Sequence, residues 1–283
     1  MKKSQSLYSL KGDRKESFGH LGNVSHYGRS NSVNENIGKG VSTYLPAIPD
    51  LNDTTNLIKL YRGPTETSNW LIRGRIMVGS SPGTHIQKQT KYTKKNALKE
   101  IKLLRENAGV TTFVSLQQVN ESLKFKPMYH TLLKKVYTAN ERGNVPQETL
   151  GDSTHNGKTS MAGSTDAPLM RGRSLPTEPT FIRQPVVDGM VMADEDMIKL
   201  IKRLTELFNK KEILYLHCYG GHGRAGTVAS LLLATIYGLA ANDAMEHVQK
   251  YHDTRVWTEN SESPASEVQR LQVRRLLASG DLV

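Results

Sequence analysis

Residues 213–237, ILYLHCYGGHGRAGTVASLLLATIY, constrain the fold more than any other stretch of the 283-residue chain. Ile213 to His217 is a short apolar run that ends at a turn signal, the mark of a buried strand. Gly226 to Tyr237 is apolar nearly throughout and long enough for a buried helix. Between them, glycines at 220, 221, 223 and 226 let the backbone turn tightly and bring successive N–H groups inward. The helix that follows points its positive end at the same spot. A strand, a glycine-rich turn and a helix in this order suit a phosphate dianion.

Two side chains give this turn a chemistry. Cys218 lies at its base, where a helix N-terminus and a nearby cation favour the thiolate, the nucleophilic form of a cysteine. Arg224 lies six residues on, and its planar guanidinium can hold two phosphate oxygens at once. Tyr219, Gly220, Gly221, His222 and Gly223, together with Arg224, form the phosphate-binding set. A lone cysteine is more often a small core hydrophobe. Glycine-rich turns also bind nucleotides, but this turn has neither G-x-x-x-x-G-K-[ST] nor G-x-G-x-x-G. With strand, cysteine, glycines, arginine and helix all in register, the phosphate reading outweighs both.

The rest of the chain alternates strand and helix patterns. Strands are expected at Ile76–Val78, Val110–Leu116 and Thr180–Val187. Helices are expected over Asn96–Glu106, from a cap at Asp194 to about Phe208, and over Asn242–Tyr251 and Ser266–Leu277. This rhythm implies an α/β fold, a central mostly parallel sheet flanked by helices. Residues 1–53 form a basic tail rich in Ser and Asn with the composition of disorder, and residues 139–178 read as a disordered insertion inside the domain that spans 54–283.

The formal net charge is +11, and residues 53–138 carry 15 Lys/Arg against 5 Asp/Glu. Such a half attracts anionic ligands or presents a solvated Lys-rich helix face. The single cysteine excludes an intrachain disulfide and any Cys-based zinc site, so a reducing compartment, cytoplasm or nucleus, is expected. The N-terminus has no signal-peptide core, and the longest apolar stretch, Thr227 to Ala241, is short for a membrane span. No aromatic and basic residues interleave as base stacking would need, so nucleic acid is not an expected partner.

His217-Cys-Tyr-Gly-Gly-His-Gly-Arg224 resembles the HCxxGxxR signature of the protein tyrosine phosphatase superfamily. The pattern is similar to its dual-specificity branch, near the cyclin-dependent-kinase-associated phosphatase group, and covers most of residues 70–278 apart from the insertion. The resemblance implies a protein-tyrosine-phosphatase-like fold and a cysteinyl-phosphate mechanism without metal or cofactor. It also implies a general acid at Asp188, because Gln184-Pro-Val-Val-Asp188-Gly189 occupies the place of the mobile acid loop. Asp194, Glu195 and Asp196 are rival acids, read as the start of a helix. His217 would order the loop, and His222 would face either substrate or solvent. Ser263 to Gln269 resembles the stretch that opens the family's last helix, with Gln269 read as structural in preference to placing water. Ala225 stands where the family usually carries a hydroxyl that eases expulsion of the thiolate, which implies slow turnover of the phospho-enzyme.

The substrate class implied is a phosphoprotein carrying phosphotyrosine or phosphoserine/threonine. A phosphoinositide or RNA 5′-phosphate substrate, and a phosphate-binding module with little turnover, are the alternatives. Arg171-Gly-Arg-Ser174-Leu-Pro176 resembles a basophilic kinase site and a 14-3-3 docking motif centred on Ser174.

Overall fold

The computed structural model describes residues 45–84, 92–123, 128–138 and 178–282. Residues 1–44 of the expected tail, residues 139–177 of the expected insertion and the Ser174 motif lie outside them. Leu45 and Leu51 pack against the core, and the Tyr237 hydroxyl donates to the Pro46 carbonyl at 2.9 Å, so packed structure begins ahead of residue 54.

Five strands form one sheet: β1 (Ser68–Ile72), β2 (Ile76–Gly79), β3 (Thr112–Ser115), β4 (Thr180–Arg183) and β5 (Leu214–His217). Their spatial order is β1-β2-β5-β3-β4. β1 and β2 are an antiparallel hairpin turned at Gly74, while β2, β5, β3 and β4 run parallel. β5 is therefore the central strand. Leu214 and Leu216 pair with Ile76 and Val78 on one side and with Thr112 and Val114 on the other. A strand with neighbours on both edges and helices over both faces has no polar side, which is why it reads as an unbroken apolar run.

Among the described residues, eight helices surround the sheet: α1 (Thr54–Tyr61), α2 (Lys94–Ala108), α3 (Val119–Leu123), α4 (Tyr129–Thr138), α5 (Asp194–Asn209), α6 (Gly223–Tyr237), α7 (Ala241–His252) and α8 (Glu267–Ser279). α2 and α4 pack together, with Arg105 donating to the carbonyls of Val136 and Tyr137. The crossovers β2–α2–β3 and β3–α4–β4 advance one way along the sheet and β4–α5–β5 returns, so right-handed connections place α5 on the face opposite α2 and α4. α6 packs against α5, α7 and α8 and is buried from Arg224 to Ala234.

Three of the differences from the expected boundaries bear on the site. β4 ends at Arg183, because Pro185 has no N–H to donate, although Gln184 N and Val186 N still pair with Ser115 O and Leu116 O. Asp194 is not the cap of α5. Ala193 holds that position, and the Asp194 carboxylate instead accepts from Arg275 at 2.7 Å and Gln272 at 2.8 Å, tying α5 to α8. α6 starts at Gly223, three residues before Gly226, which puts Arg224 in its first turn.

Candidate active site

The loop from Cys218 to Arg224 leaves the carboxyl end of β5, where ligands bind in open α/β sheets. Its carbonyls are fixed from outside. Ser81 N donates to Tyr219 O at 3.0 Å, Arg255 Nη2 to Gly221 O at 3.1 Å, and Ser263 Oγ to His222 O at 3.1 Å. In a trans peptide the N–H points opposite to the C=O. Holding these three carbonyls outward therefore turns the N–H groups of Gly220, His222 and Gly223 toward the inside of the loop. Gly221 has φ +80°, and a Cβ there would lie 2.3 Å from the Gly79 carbonyl carbon, so the loop rests on the end of β2 with no room for a side chain.

Cys218 is buried at the base of the loop. The preceding His217 donates from Nδ1 to the Cys218 carbonyl at 3.0 Å, and the Tyr129 hydroxyl donates to its Nε2. One donor and one acceptor nitrogen describe a neutral ring, and burial lowers the His217 pKa to about 4. Two guanidinium groups act electrostatically on Cys218, Arg224 and the fully buried Arg255. Burial lowers the Arg255 pKa to about 10, which leaves it charged at neutral pH.

Arg224 is held on several sides. Its Nη1 donates to Glu121 Oε2 at 2.7 Å and to Val186 O at 3.0 Å, and its Nη2 donates to Glu121 Oε1 at 2.9 Å. Asp188 Oδ1 lies 2.8 Å from Nη2. Burial opposes the charge of Arg224, but Glu121, Cys218 and Asp188 more than offset it and its pKa is raised. Arg224 Nε is buried with no hydrogen-bond partner. An unpaired buried donor on a guanidinium costs about 1–3 kcal/mol, so an anionic oxygen there would be a stabilising ligand.

The structure brings Asp188 to Arg224 on a loop that is otherwise tethered to α8. Gly189 O accepts from Ser266 Oγ at 3.1 Å, and Met190 O accepts from Gln269 Nε2 at 3.2 Å. Gln269 also completes a capping box with Ser266, so both ends of its amide are committed to structure. The Asp188 side chain is 78% exposed. Of the rival acids, Asp194 is paired with Arg275, and Glu195 and Asp196 lie beside it in the first turn of α5. The His222 ring faces neither the inside of the loop nor open solvent, and turns instead to His252 and Glu259.

Sequence reasoning missed Glu121, Arg255, Asn69 and Tyr129. Glu121 lies in a five-residue helix whose sequence carries no motif. Arg255 reaches the loop through Nη2 on Gly221 O, while its Nε donates to Asn69 Oδ1 of β1 at 2.7 Å, a link between residues 186 apart that no local pattern announces.

Residues 160–279 match the family model described as the Swiss Army Knife protein, DSP-PTPase phosphatase domain. The chain is 30% identical over 81 residues to protein 067L of Invertebrate iridescent virus 3, named as a tyrosine phosphatase, a match covering 27% of this chain and 34% of that one. It is 32% identical over 78 residues to protein 197R of Invertebrate iridescent virus 6, also named as a tyrosine phosphatase, covering 25% and 29%. The chain thus spans about a third of the length of the curated relatives it matches. Among solved structures, kinase associated phosphatase aligns with TM-score 0.44 at 15% identity over 72% of this chain and 86% of that chain. PTPMT1 in complex with PI(5)P aligns with TM-score 0.43 at 11% identity over 75% and 98%. Residues 160–279 are thus similar to a phosphatase domain of the dual-specificity type, and the loop from Cys218 to Arg224 lies within that matched segment.

Proposed function

We propose that this chain hydrolyses phosphate monoesters on proteins through a cysteinyl-phosphate intermediate. The Cys218 thiolate attacks phosphorus in line, the P–S bond forms and the P–O bond to the leaving group breaks. Asp188 donates its proton to the departing oxygen. Water then attacks the thiophosphate with Asp188 as base, releasing inorganic phosphate and regenerating the thiolate. The amides of Gly220, His222 and Gly223 and the guanidinium of Arg224 hold the equatorial oxygens throughout, so the route calls for no metal. The observation that carries this reading is Arg224, a buried guanidinium in the first turn of α6 with Asp188 on Nη2 and an unpartnered Nε.

The carboxylates nearby support a singly phosphorylated group as substrate. Glu121 and Asp188 flank Arg224, and Glu259 pairs with the loop at His222. Negative charge around the site disfavours a ligand with several phosphates, such as a polyphosphoinositide, more than an isolated phosphorylated side chain. A phosphoprotein partner and an intracellular location belong to this proposal.

The test is hydrolysis of a small aryl phosphate by the full chain in EDTA with reductant. Activity is expected to survive EDTA and vanish in Cys218→Ser. Asp188→Ala should cost little on this good leaving group and about a hundredfold or more on a phosphopeptide. An inactive wild type, or a serine variant equal to it, overturns the reading in favour of a phosphate-binding module.

A further inference from the structure

Behind the loop, four titratable side chains form a line. Glu259 Oε2 lies 3.2 Å from His222 Nε2, His222 Nδ1 lies 2.7 Å from His252 Nε2, and His252 Nδ1 lies 3.3 Å from Asp253 Oδ1. Each of these three contacts needs one proton. The Asp253 carboxylate accepts a further bond from Gln249 at 2.7 Å and its pKa is lowered, so it is an acceptor only. Two neutral imidazoles carry two N–H groups between them, one short of the number required.

We propose that the His222–His252 pair holds one proton more than neutral, that the charge resides on His222, and that this imidazolium is a positioning device that makes anion binding by the loop depend on pH. His252 is 1% exposed, and burial lowers its pKa, which favours its neutral form. It donates from Nδ1 to Asp253 and accepts at Nε2. His222 then donates from both nitrogens, to His252 and to Glu259, and the Glu259 contact is an ion pair.

The charged groups around the pair come from every neighbouring element. His252 belongs to α7, and Asp253 and Arg255 to the turn after it. Glu259 comes from the next segment. Glu259 and Asp253 favour the extra proton, and Arg255 opposes it. The His222 ring lies over the loop backbone, so that a Cβ on Gly220 would fall 2.5 Å from it. Glu259 and Asn260 are non-glycine residues with φ +55° and +51°, in the left-handed region that favours glycine. The Glu259–His222 bond is one of the contacts that hold them there. On loss of the proton, Glu259 would face a ring lone pair, and the strained turn would be free to withdraw from the loop. The proton count stands on its own, and only the consequence for turnover rests on the phosphatase reading.

Nitrogen-15 histidine spectra of the full chain report ring protonation without any substrate. At about pH 7, His222 is expected to be protonated on both nitrogens and His252 on Nδ1 alone, whereas two neutral rings would overturn the proposal. Tungstate is the anion probe, measured with Cys218→Ser so that the thiol does not contribute. As pH is raised its affinity should weaken about tenfold, over the same interval in which the nitrogen-15 spectra report loss of the His222 proton. Glu259→Gln should move both transitions to lower pH together. Unchanged tungstate titration in that variant would sink the positioning role. Absent aryl phosphate turnover beside an intact histidine signature would count against the phosphatase reading and leave this proposal standing.

Discussion

Arg224 shows how much of the site rests on one side chain. Its guanidinium meets Glu121, Val186 O and Asp188, and Nε remains for an incoming oxygen. In the proposed mechanism the next residue is the weak point of the second half-reaction. Ala225 is wholly buried in the first turn of α6, while the nearest hydroxyl on that turn, Thr227 Oγ1, donates to Gly223 O at 2.9 Å. No hydroxyl at 225 can stabilise the departing thiolate. Rapid-mixing assays with an aryl phosphate should therefore show a burst of phenol close to one equivalent, followed by slow turnover. Ala225→Ser should raise the steady-state rate about tenfold, a change of about 1.4 kcal/mol, and leave the burst amplitude unchanged. Linear progress curves in the wild type would remove this explanation.

At the scale of elements, the loop is shaped by the strand beside it. Gly221 rests on the backbone of β2, and Ser81 just beyond that strand holds Tyr219 O. Gly221→Ala combines a positive φ with a Cβ 2.3 Å from backbone atoms that cannot yield. It should abolish tungstate binding and cost about 2–3 kcal/mol, seen as a Tm lower by about 5–10 °C. Gly189→Ala makes the contrast. Its φ is +74° but its Cβ would meet open space, so about 1 kcal/mol and retained tungstate binding are expected. Most elements were legible before the structure, since α2, α5, α7 and α8 carry apolar residues at helical spacing, and β3 and β5 are apolar runs. The same spacing at Tyr129, Leu132, Leu133 and Tyr137 marks α4 and was a readable signal that went unread. α3 has no such signal, because five residues make too short a pattern.

Across the whole molecule, the pH dependence of stability follows from rings that the fold keeps neutral. His217 is wholly buried between the Cys218 carbonyl and the Tyr129 hydroxyl, and burial lowers its pKa to about 4. The unfolded chain takes up this proton near pH 6.5 and the folded chain near pH 4, so the contribution is complete above about pH 6.5 and declines as pH falls toward 4. The span corresponds to about 3 kcal/mol. His130, His247 and His252 act in the same sense, and Glu100, raised to about 7 by burial, acts in the opposite one. Denaturant unfolding of wild type and His217→Gln from about pH 7 to about pH 4.5 cancels those shared contributions. The variant should be less stable at neutral pH and lose less on acidification. Parallel pH profiles would refute the neutral ring. Among the described residues no single helix is long and apolar enough to cross a membrane.

The sequence by itself determined the order and the candidate residues of the central strand–loop–helix unit. Cys218, the glycines and Arg224 are neighbours in the chain, and a strand, a tight turn and a helix are local solutions to apolar spacing and backbone freedom. Asp188, which the structure places 2.8 Å from Arg224, was a candidate for a different reason, as part of a short segment with a recognisable form. What only the tertiary structure decided is everything that holds this unit in shape. Glu121 on Arg224, Arg255 and Asn69 behind Gly221, Tyr129 on His217, and the line from Glu259 to Asp253 through two histidines all join residues distant in the chain. Only Asp253, next in the chain to His252, is an exception. Such contacts depend on which surfaces the packing of β5 between β2 and β3 and of α6 among its neighbours brings together. A polar side chain in the sequence does not reveal which buried partner will satisfy it.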